Sequence, residues 1–240
     1  GAAITPAYLK KWYKQFGLHL IEAYGMTEVC GSFTNSVELD CPLDTVGKVV
    51  PGCEVKIDPD SGEVLMKSPY MMKGYYKAPE LTAKGIKDGW LHSGDQGTLD
   101  KDGYLRIIGR VSDAFKTSKG KFVTPNPMEE TLGDTELIEQ VCVAGLGIPQ
   151  PIALVNLSEV AGSKEKGAIE EVLLDKLQEV NSRVANIEKV STLVIDQETW
   201  TPENELITPT LKIRRQALNK KHGEHFLNWH NSKDTIIWLG

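Results

Sequence analysis

Four short stretches of this chain carry side chains that could act on a phosphate or a sugar. In the first, Tyr24-Gly25-Met26-Thr27-Glu28, the tyrosine ring can lie on a planar base and Gly25 can let a ligand approach the backbone. The Thr27 hydroxyl can donate to a phosphate, and the Glu28 carboxylate can hold a hard cation such as Mg²⁺. Taken alone, five such residues more often form a turn with a polar tip.

The second stretch, Gly89-Trp90-Leu91-His92-Ser93-Gly94-Asp95, places an acid beside a glycine at the end of a strand-like piece. A carboxylate with little bulk around it, as at Asp95, can accept two hydrogen bonds from a ribose diol. An ordinary Gly-Asp turn explains the same residues. His92 has no evident partner in the sequence, which favours a packed or solvent-facing imidazole over a catalytic one.

The third and fourth stretches supply cations. Tyr104 to Arg110 is predicted to be a strand ending in Gly-Arg, and Lys116 and Gly120 follow on a predicted hairpin. Cations on both sides of a linker suit a mobile interface that handles phosphate, although any solvated hairpin could carry them. Lys212 lies on a Thr-Pro-Thr loop before a basic helix, which as a simpler alternative is a solvated face.

Composition limits the class of protein. The chain has 240 residues with 40% hydrophobic residues and a net charge of −6, which argues against a protein that mainly coats nucleic acid. Four cysteines at irregular spacings predict reduced structural thiols. No apolar run approaches the roughly 18 residues that span a bilayer and no leader opens the chain, so a cytoplasmic protein is expected. Because the sequence opens on Gly1 without an initiator methionine, we expect a piece of a longer protein.

The elements that must position these stretches fall into two predicted domains. Residues 1–111 are expected to hold a helix from Thr5-Pro6 to Gly17, and a buried strand from Leu18 to Ala23 that would place Tyr24 at its carboxyl end. Short runs between residues 45 and 111 predict a small, mostly antiparallel barrel or folded sheet, interrupted by a helix from Ala78 to Gly85. Its last part is expected to contain strands at 97–99 and 104–108.

Residues 112–240 are predicted to form a compact α+β domain that begins near Val111-Ser112-Asp113. Its predicted elements are a hairpin around Ser118-Lys119-Gly120, a helix at 127–132, apolar runs at 140–147 and 152–157, a helix at 163–181 and a strand at 190–195. The fold class is therefore mixed: an α/β piece with a barrel-like subdomain, followed by an α+β domain.

Together the four stretches resemble the second half of the adenylate-forming superfamily, which includes acyl-CoA synthetases, luciferases and peptide-synthetase adenylation domains. In that family Tyr-Gly-x-Thr-Glu, Trp-x-His-x-Gly-Asp, Gly-Tyr-Leu-x-x-x-Gly-Arg and a C-terminal Lys loop recur in this order. The run from Phe115 to Pro125 and the loop from Ile207 to Lys212 are most similar to long-chain fatty acid–CoA ligases, in which Leu211 also has a counterpart.

The resemblance implies a two-step ligase that joins a fatty acid to AMP and then to CoA, with ATP and Mg²⁺. Tyr24 would stack on or edge the adenine, Gly25 would belong to the same cofactor site, Thr27 would contact the α-phosphate and Glu28 would hold the Mg²⁺. Asp95 would hold the ribose with help from Arg110. Lys212 would bridge the carboxylate and the phosphate, while Lys116 and Gly120 would face the site during thioester formation. Such ligases allow peripheral membrane association.

Several alternatives stay open. The family's upstream phosphate loop and most of the acyl pocket are absent, so we expect this piece alone to be inactive. The hinge is either Ser112 or Asp113. Another adenylating enzyme, with a carrier protein as acceptor, or a non-catalytic member of the family would carry similar motifs. Acyl chain length and oligomeric state are not set by the sequence.

Overall fold

The computed structural model describes Thr5 and residues 7–239, and the chain divides into two compact units, Gly1–Ser112 and Asp113–Gly240. The predicted first-turn proline, Pro6, lies outside the described residues. The mixed fold class predicted from the sequence is confirmed. Among the described residues, no helix is both long enough and apolar enough to cross a bilayer.

The first unit contains two helices and eight strands among its described residues. They are α1 (Ala7–Gln15), β1 (Ala23–Met26), β2 (Gly31–Asn35), β3 (Lys48–Val49), β4 (Glu54–Ile57), β5 (Glu63–Lys67), α2 (Pro79–Gly85), β6 (Ile86–Lys87), β7 (Trp90–Leu99) and β8 (Leu105–Arg110). All the strand pairs are antiparallel, in a three-stranded sheet β1-β2-β3 and a sheet β4-β5-β7-β6 with β8 also on β7. The predicted folded antiparallel sheet and the α2 helix are confirmed.

The predicted strand from Leu18 to Ala23 is wrong. The strand begins at Ala23 and pairs with β2, whereas Leu18 and Ile21 are each 56% exposed. An apolar run without alternation does not show which of its residues will pair with another strand. Here only Ala23–Met26 pair with β2, starting with Gly31 opposite Met26. Tyr24 and Gly25 therefore lie within a strand, and only Thr27 and Glu28 lie in the turn that follows.

β7 is longer than predicted. The strand expected at 97–99 runs from Trp90 to Leu99, so the Gly-Asp pair that could have been a plain turn lies inside a ten-residue strand. Its core side chains interlock with those of β5 and β8: Val64, Met66, Leu91 and Leu105 are at most 1% exposed. Burial of this kind stabilises a sheet by about 1.5–3 kcal/mol per large apolar side chain.

The second unit surrounds a four-stranded sheet. Its elements are β9 (Phe115–Lys116), β10 (Phe122–Val123), α3 (Asn126–Leu132), β11 (Ile138–Ala144), β12 (Ile152–Leu157), α4 (Lys166–Ser182), β13 (Leu193–Asp196), α5 (Arg215–His222), α6 (Phe226–His230) and β14 (Ile236–Trp238). The order β11-β12-β13-β14 joins an antiparallel pair to two parallel pairs. The hairpin, the helices and the strands predicted for residues 114–195 are confirmed, with ends shifted by a few residues.

Both faces of this sheet are buried. Because side chains alternate along a strand, Ala153 and Val155 join a core with α3 and α4, while Ile152 and Leu154 join a core that includes residues of α5 and α6. All four side chains are fully buried. This packing fixes the starting points of the loops that leave the sheet.

Asp196, at the end of β13, gives the second unit a measurable acid sensitivity. Burial opposes its ionisation, but contacts with His222 and the Trp200 indole lower the pKa of Asp196 from 3.8 to about 2. A lowered carboxyl pKa stabilises the fold above the unfolded pKa, and that stability is lost as the pH falls towards the folded value.

We therefore expect Asp196→Asn to lower the free energy of the opening that exposes the β13 amides by about 2 kcal/mol at pH 7. The difference from the wild type should shrink as the pH falls below about 4 and vanish near 2. Native-state hydrogen exchange of the β13 amides, corrected for intrinsic rates, measures this directly. Asp134→Asn, at a half-exposed carboxylate, is the matched control; an equal effect of both substitutions would refute the assignment.

Candidate active site

Asp95 is the centre of a polar cluster in the first unit. Its side chain is 14% exposed, and its Oδ1 contacts the Arg110 Nε at 2.9 Å. The Tyr24 hydroxyl donates to Oδ2 at 2.7 Å. The structure therefore brings together three of the residues predicted for ligand binding, although they come from β1, β7 and β8.

β7 is irregular directly before Asp95. The register between β5 and β7 shifts between Glu63 and Leu65, and Gly94 has a φ of +73°, which favours glycine. The Glu63 carboxylate accepts a hydrogen bond from the Gly94 amide at 2.8 Å and contacts His92 Nδ1 at 2.8 Å. His92 is thus a packed residue with an acidic partner, and Glu63 holds the bend that precedes Asp95.

The contacts of Asp95 leave it able to bind a ligand. A carboxylate has about four acceptor positions, of which Arg110 and Tyr24 use one on each oxygen. Burial, followed by the charge of Asp95, raises the pKa of Tyr24, so its hydroxyl stays a donor at neutral pH. Tyr24 and Arg110 therefore orient the carboxylate, and these two side-chain contacts among the described residues use one acceptor position on each oxygen.

Thr27 and Glu28 lie on a single 3₁₀ turn, Thr27–Val29, directly after β1. The Tyr75 hydroxyl donates to Glu28 Oε1 at 2.8 Å, and the Met72 amide donates to the Glu28 carbonyl at 2.7 Å. These bonds tie the turn to the segment before α2. Among the described residues, no three His, Cys, Asp or Glu side chains group closely enough to hold a metal by themselves. Glu28 can offer a cation one carboxylate.

Gly25 has a packing role. A Cβ atom at this position would lie 1.8 Å from the carbonyl oxygen of Gly31, because β1 and β2 approach closely there. This contact alone requires glycine at position 25. Whether a ligand also approaches its backbone stays a prediction.

In the second unit, Lys116 and Gly120 share the β9–β10 hairpin. The hairpin is held by Thr117 and Lys121 and by the Ser118 amide, which donates to the Ile148 carbonyl at 2.9 Å. Gly120 has a φ of +81°, and a Cβ there would meet no atom closer than the Lys116 Cε at 4.0 Å. The hairpin therefore presents an exposed cation and bare backbone together.

Lys212 lies on a separate tight turn, residues 207–213, here called the lysine loop. Its ends pair as Ile207 with Ile213, and the Thr208 amide donates to the Lys212 carbonyl at 2.8 Å. The Lys212 amide in turn donates to Thr208 Oγ1 at 3.0 Å, and Leu211 has a φ of +60°. These hydrogen bonds hold the turn so that Lys212 is exposed while Ile207, at the start of the turn, is buried.

Sequence reasoning missed the residues that orient the predicted ones. Tyr75 contacts Glu28 from 47 residues away, and Glu63 contacts His92 and Gly94, which precede Asp95 in β7. Arg215 contacts Asp113, one of the two predicted hinge residues. The only sequence signal was a charged or hydroxyl-bearing side chain inside an otherwise apolar run, as for Glu63 at the start of Glu63–Lys67.

The chain matches two family models. Residues 1–76 match the AMP-binding enzyme model, and residues 112–225 match the model of the AMP-binding enzyme C-terminal domain. The chain therefore belongs to the AMP-binding enzyme family, and the predicted resemblance is confirmed.

Individual relatives agree with the family assignment. Long-chain-fatty-acid–CoA ligase FadD15 of Mycobacterium bovis is 31% identical over 238 residues, covering 92% of this chain and 40% of the relative. Mouse long-chain-fatty-acid–CoA ligase 5 is 29% identical over 91% of this chain and 36% of the relative. Among solved structures, the O-succinylbenzoate–CoA synthetase MenE of Bacillus subtilis with AMP has a TM-score of 0.71 at 24% identity, covering 90% of this chain and 44% of that one. The chain thus spans about two fifths of the length of these relatives.

Proposed function

We propose that this chain forms the carboxyl-terminal part of a ligase that activates a long-chain fatty acid with ATP and transfers the acyl group to CoA. Ligase chemistry and fatty acid activation are supported at the level of the family by the curated relatives. The observation that carries the proposal furthest is the Asp95 carboxylate, oriented by Tyr24 and Arg110 with acceptor positions to spare.

The first half-reaction joins two anions, so charge must be offset where they meet. In this proposal Asp95 binds the ribose diol, Tyr24 edges the adenine and Thr27 contacts the α-phosphate. Lys212 places its ammonium between the carboxylate and the α-phosphate, which stabilises the charge as the new bond forms and pyrophosphate leaves. The exposed, braced position of Lys212 suits this role.

Glu28 fits the Mg²⁺ that such a reaction uses. Magnesium in nucleotide sites commonly binds one or two carboxylates, substrate phosphates and water, so a single half-buried glutamate is enough from this chain. The bound ion would offset phosphate charge. The Tyr75 hydroxyl occupies one oxygen of Glu28 and leaves the other for the ion.

The second half-reaction needs access for the CoA thiol. Lys116 and the bare backbone at Gly120 offer a cation and an unobstructed edge, which would face the acyl-adenylate after the second unit turns about residues 111–113. A cytoplasmic location and peripheral membrane attachment stay predictions.

Replacing Asp95 tests the nucleotide site. A charge-assisted hydrogen bond contributes about 1.5–3 kcal/mol, so Asp95→Ala should weaken ATP binding by about one to two orders of magnitude. Tyr24→Phe, which removes only the orienting hydroxyl, should weaken binding by a smaller factor, about fivefold. Calorimetric titration of a ligase of full family length that contains this chain measures both.

Asp58→Asn is the matched control, because Asp58 also accepts hydrogen bonds at a turn of the same unit but lies outside the cluster. It should leave the affinity for ATP unchanged. An affinity that survives Asp95→Ala would return Asp95 to a purely structural role and overturn the proposed nucleotide site.

A further inference from the structure

Two residues after the lysine loop, at the start of α5, the largely buried Arg215 makes a network of polar contacts. The Arg215 side chain is 16% exposed, and its Nη1 donates to Glu129 Oε1 at 2.6 Å. The same Nη1 donates to the Val143 carbonyl at 3.3 Å, and Nη2 contacts the second oxygen of Glu129. The guanidinium therefore joins α5 to α3 and to β11.

The remaining nitrogen of this guanidinium reaches the start of the unit. Arg215 Nε lies 3.5 Å from Oδ2 of Asp113, whose side chain is 30% exposed. Asp113 is the first residue of the second unit and one of the two predicted hinge residues. One arginine thus contacts the first residue of the unit and stands three residues after Lys212.

The lysine loop has few other attachments. Its described backbone bonds run within the loop or to its own base, as between the Arg214 amide and the Leu206 carbonyl at 2.9 Å. The buried side chains of Leu206 and Ile207 hold one strand of that base. On the other strand Ile213 packs against the same core, and two residues later Arg215 adds a polar tie where this end of the loop enters α5.

We propose that Arg215 is a positioning residue that fixes the lysine loop to the first residue of the second unit. The role rests on the proposed function of Lys212 in adenylate formation. Asp113 and Glu129 hold the guanidinium from two sides, and the guanidinium holds the end of the loop. When the unit turns at its start, the loop then moves with it as one body, and Lys212 reaches the reacting atoms in one orientation. Reactions of this kind lose rate steeply when a reacting group is misplaced by about 1 Å.

The substitution Asp113→Asn tests this role, because it removes the charge that pairs with Arg215 Nε and leaves the ion pair between Arg215 and Glu129 intact. In a ligase of full family length that contains this chain, we expect acyl-AMP formation to fall about tenfold in kcat, with KM for ATP within about twofold. Asp113→Glu, which keeps the carboxylate, should restore most of the rate. Transfer from presynthesised acyl-AMP to CoA should change little.

Asp134→Asn is the matched control, because Asp134 forms an ion pair of the same length, 3.5 Å, with Lys176 in the same unit. It should leave both half-reactions unchanged. A loss of kcat in Asp113→Asn no larger than in Asp134→Asn would overturn the inference. If Lys212→Ala itself left adenylation intact, the proposed function would fail first.

A second measurement is independent of activity and uses the 240-residue chain as it stands. Asp113→Asn should speed hydrogen exchange at the Arg214 amide about tenfold while the amides of β12 keep their protection. Arg215→Lys should act in the same direction, because an ammonium cannot hold Asp113, Glu129 and the Val143 carbonyl together. Unchanged exchange at Arg214 in both variants would contradict the inference, whatever the kinetics show.

Discussion

Lys212→Ala should lower the rate of acyl-AMP formation by about 10²- to 10³-fold, the usual loss when one preorganised charge-stabilising group is removed. Transfer from presynthesised acyl-AMP to CoA should stay nearly intact, because in that step the two anions have already been joined. Following pyrophosphate release and thioester formation separately, in a ligase of full family length that contains this chain, measures each half-reaction.

The matched control is Lys220→Ala, an exposed lysine on α5 in the same unit, which should affect neither step. If Lys212 were instead only a solvated surface lysine, both substitutions would change the rate of each half-reaction very little. Equal losses in both half-reactions for Lys212→Ala would refute the idea that two faces of the second unit serve the site in turn.

The opposite defect is expected at the hairpin. Gly120→Val places a branched side chain on the exposed edge beside Lys116, so CoA transfer should fall by about two orders of magnitude while acyl-AMP accumulates. Lys116→Ala should shift the balance in the same direction. Single-turnover assays that quantify acyl-AMP and acyl-CoA together separate this outcome from a general loss of activity.

Backbone strain needs its own control, because valine at a positive φ is strained wherever it is placed. Gly52, in the first unit, is exposed, has a φ of +84° and would place a Cβ in open space, so Gly52→Val carries the same strain away from the hairpin. If CoA transfer is blocked in both variants, backbone strain explains the defect. If it is blocked in neither, the hairpin has no role in thioester formation.

The sequence predicted secondary structure best where the residues of a single segment determine it. The apolar run from Ile152 to Leu157 is a strand with those bounds, and the hairpin around Gly120 follows from glycine and lysine at a turn. The strand predicted from Leu18 was wrong because its apolar residues do not show where strand pairing begins. The pairing with β2 starts only at Ala23, and neither strand's own sequence specifies its partner.

The same limit explains which parts of the site could be predicted. Asp95, Tyr24 and Lys212 each stand in short motifs, whereas the contact between Tyr24 and Asp95 spans 71 residues and that between Glu129 and Arg215 spans 86. Contacts over such separations depend on the finished fold. The groups proposed to touch substrate could therefore be found in the sequence, but the contacts that hold them in place could not.

The doubly covered sheet of the second unit has a consequence for how such a chain can diverge. In β4 burial alternates, so every second position accepts a charge without loss, whereas β12 is buried at five successive positions. The fifth of these, Asn156, already donates to the carbonyls of Asp196 and Glu198, and a polar substitution at any of the four apolar positions would leave an unpaired group in a core. Variation in this unit is consequently easier at exposed positions of its helices and in its connecting segments than along the central strand β12.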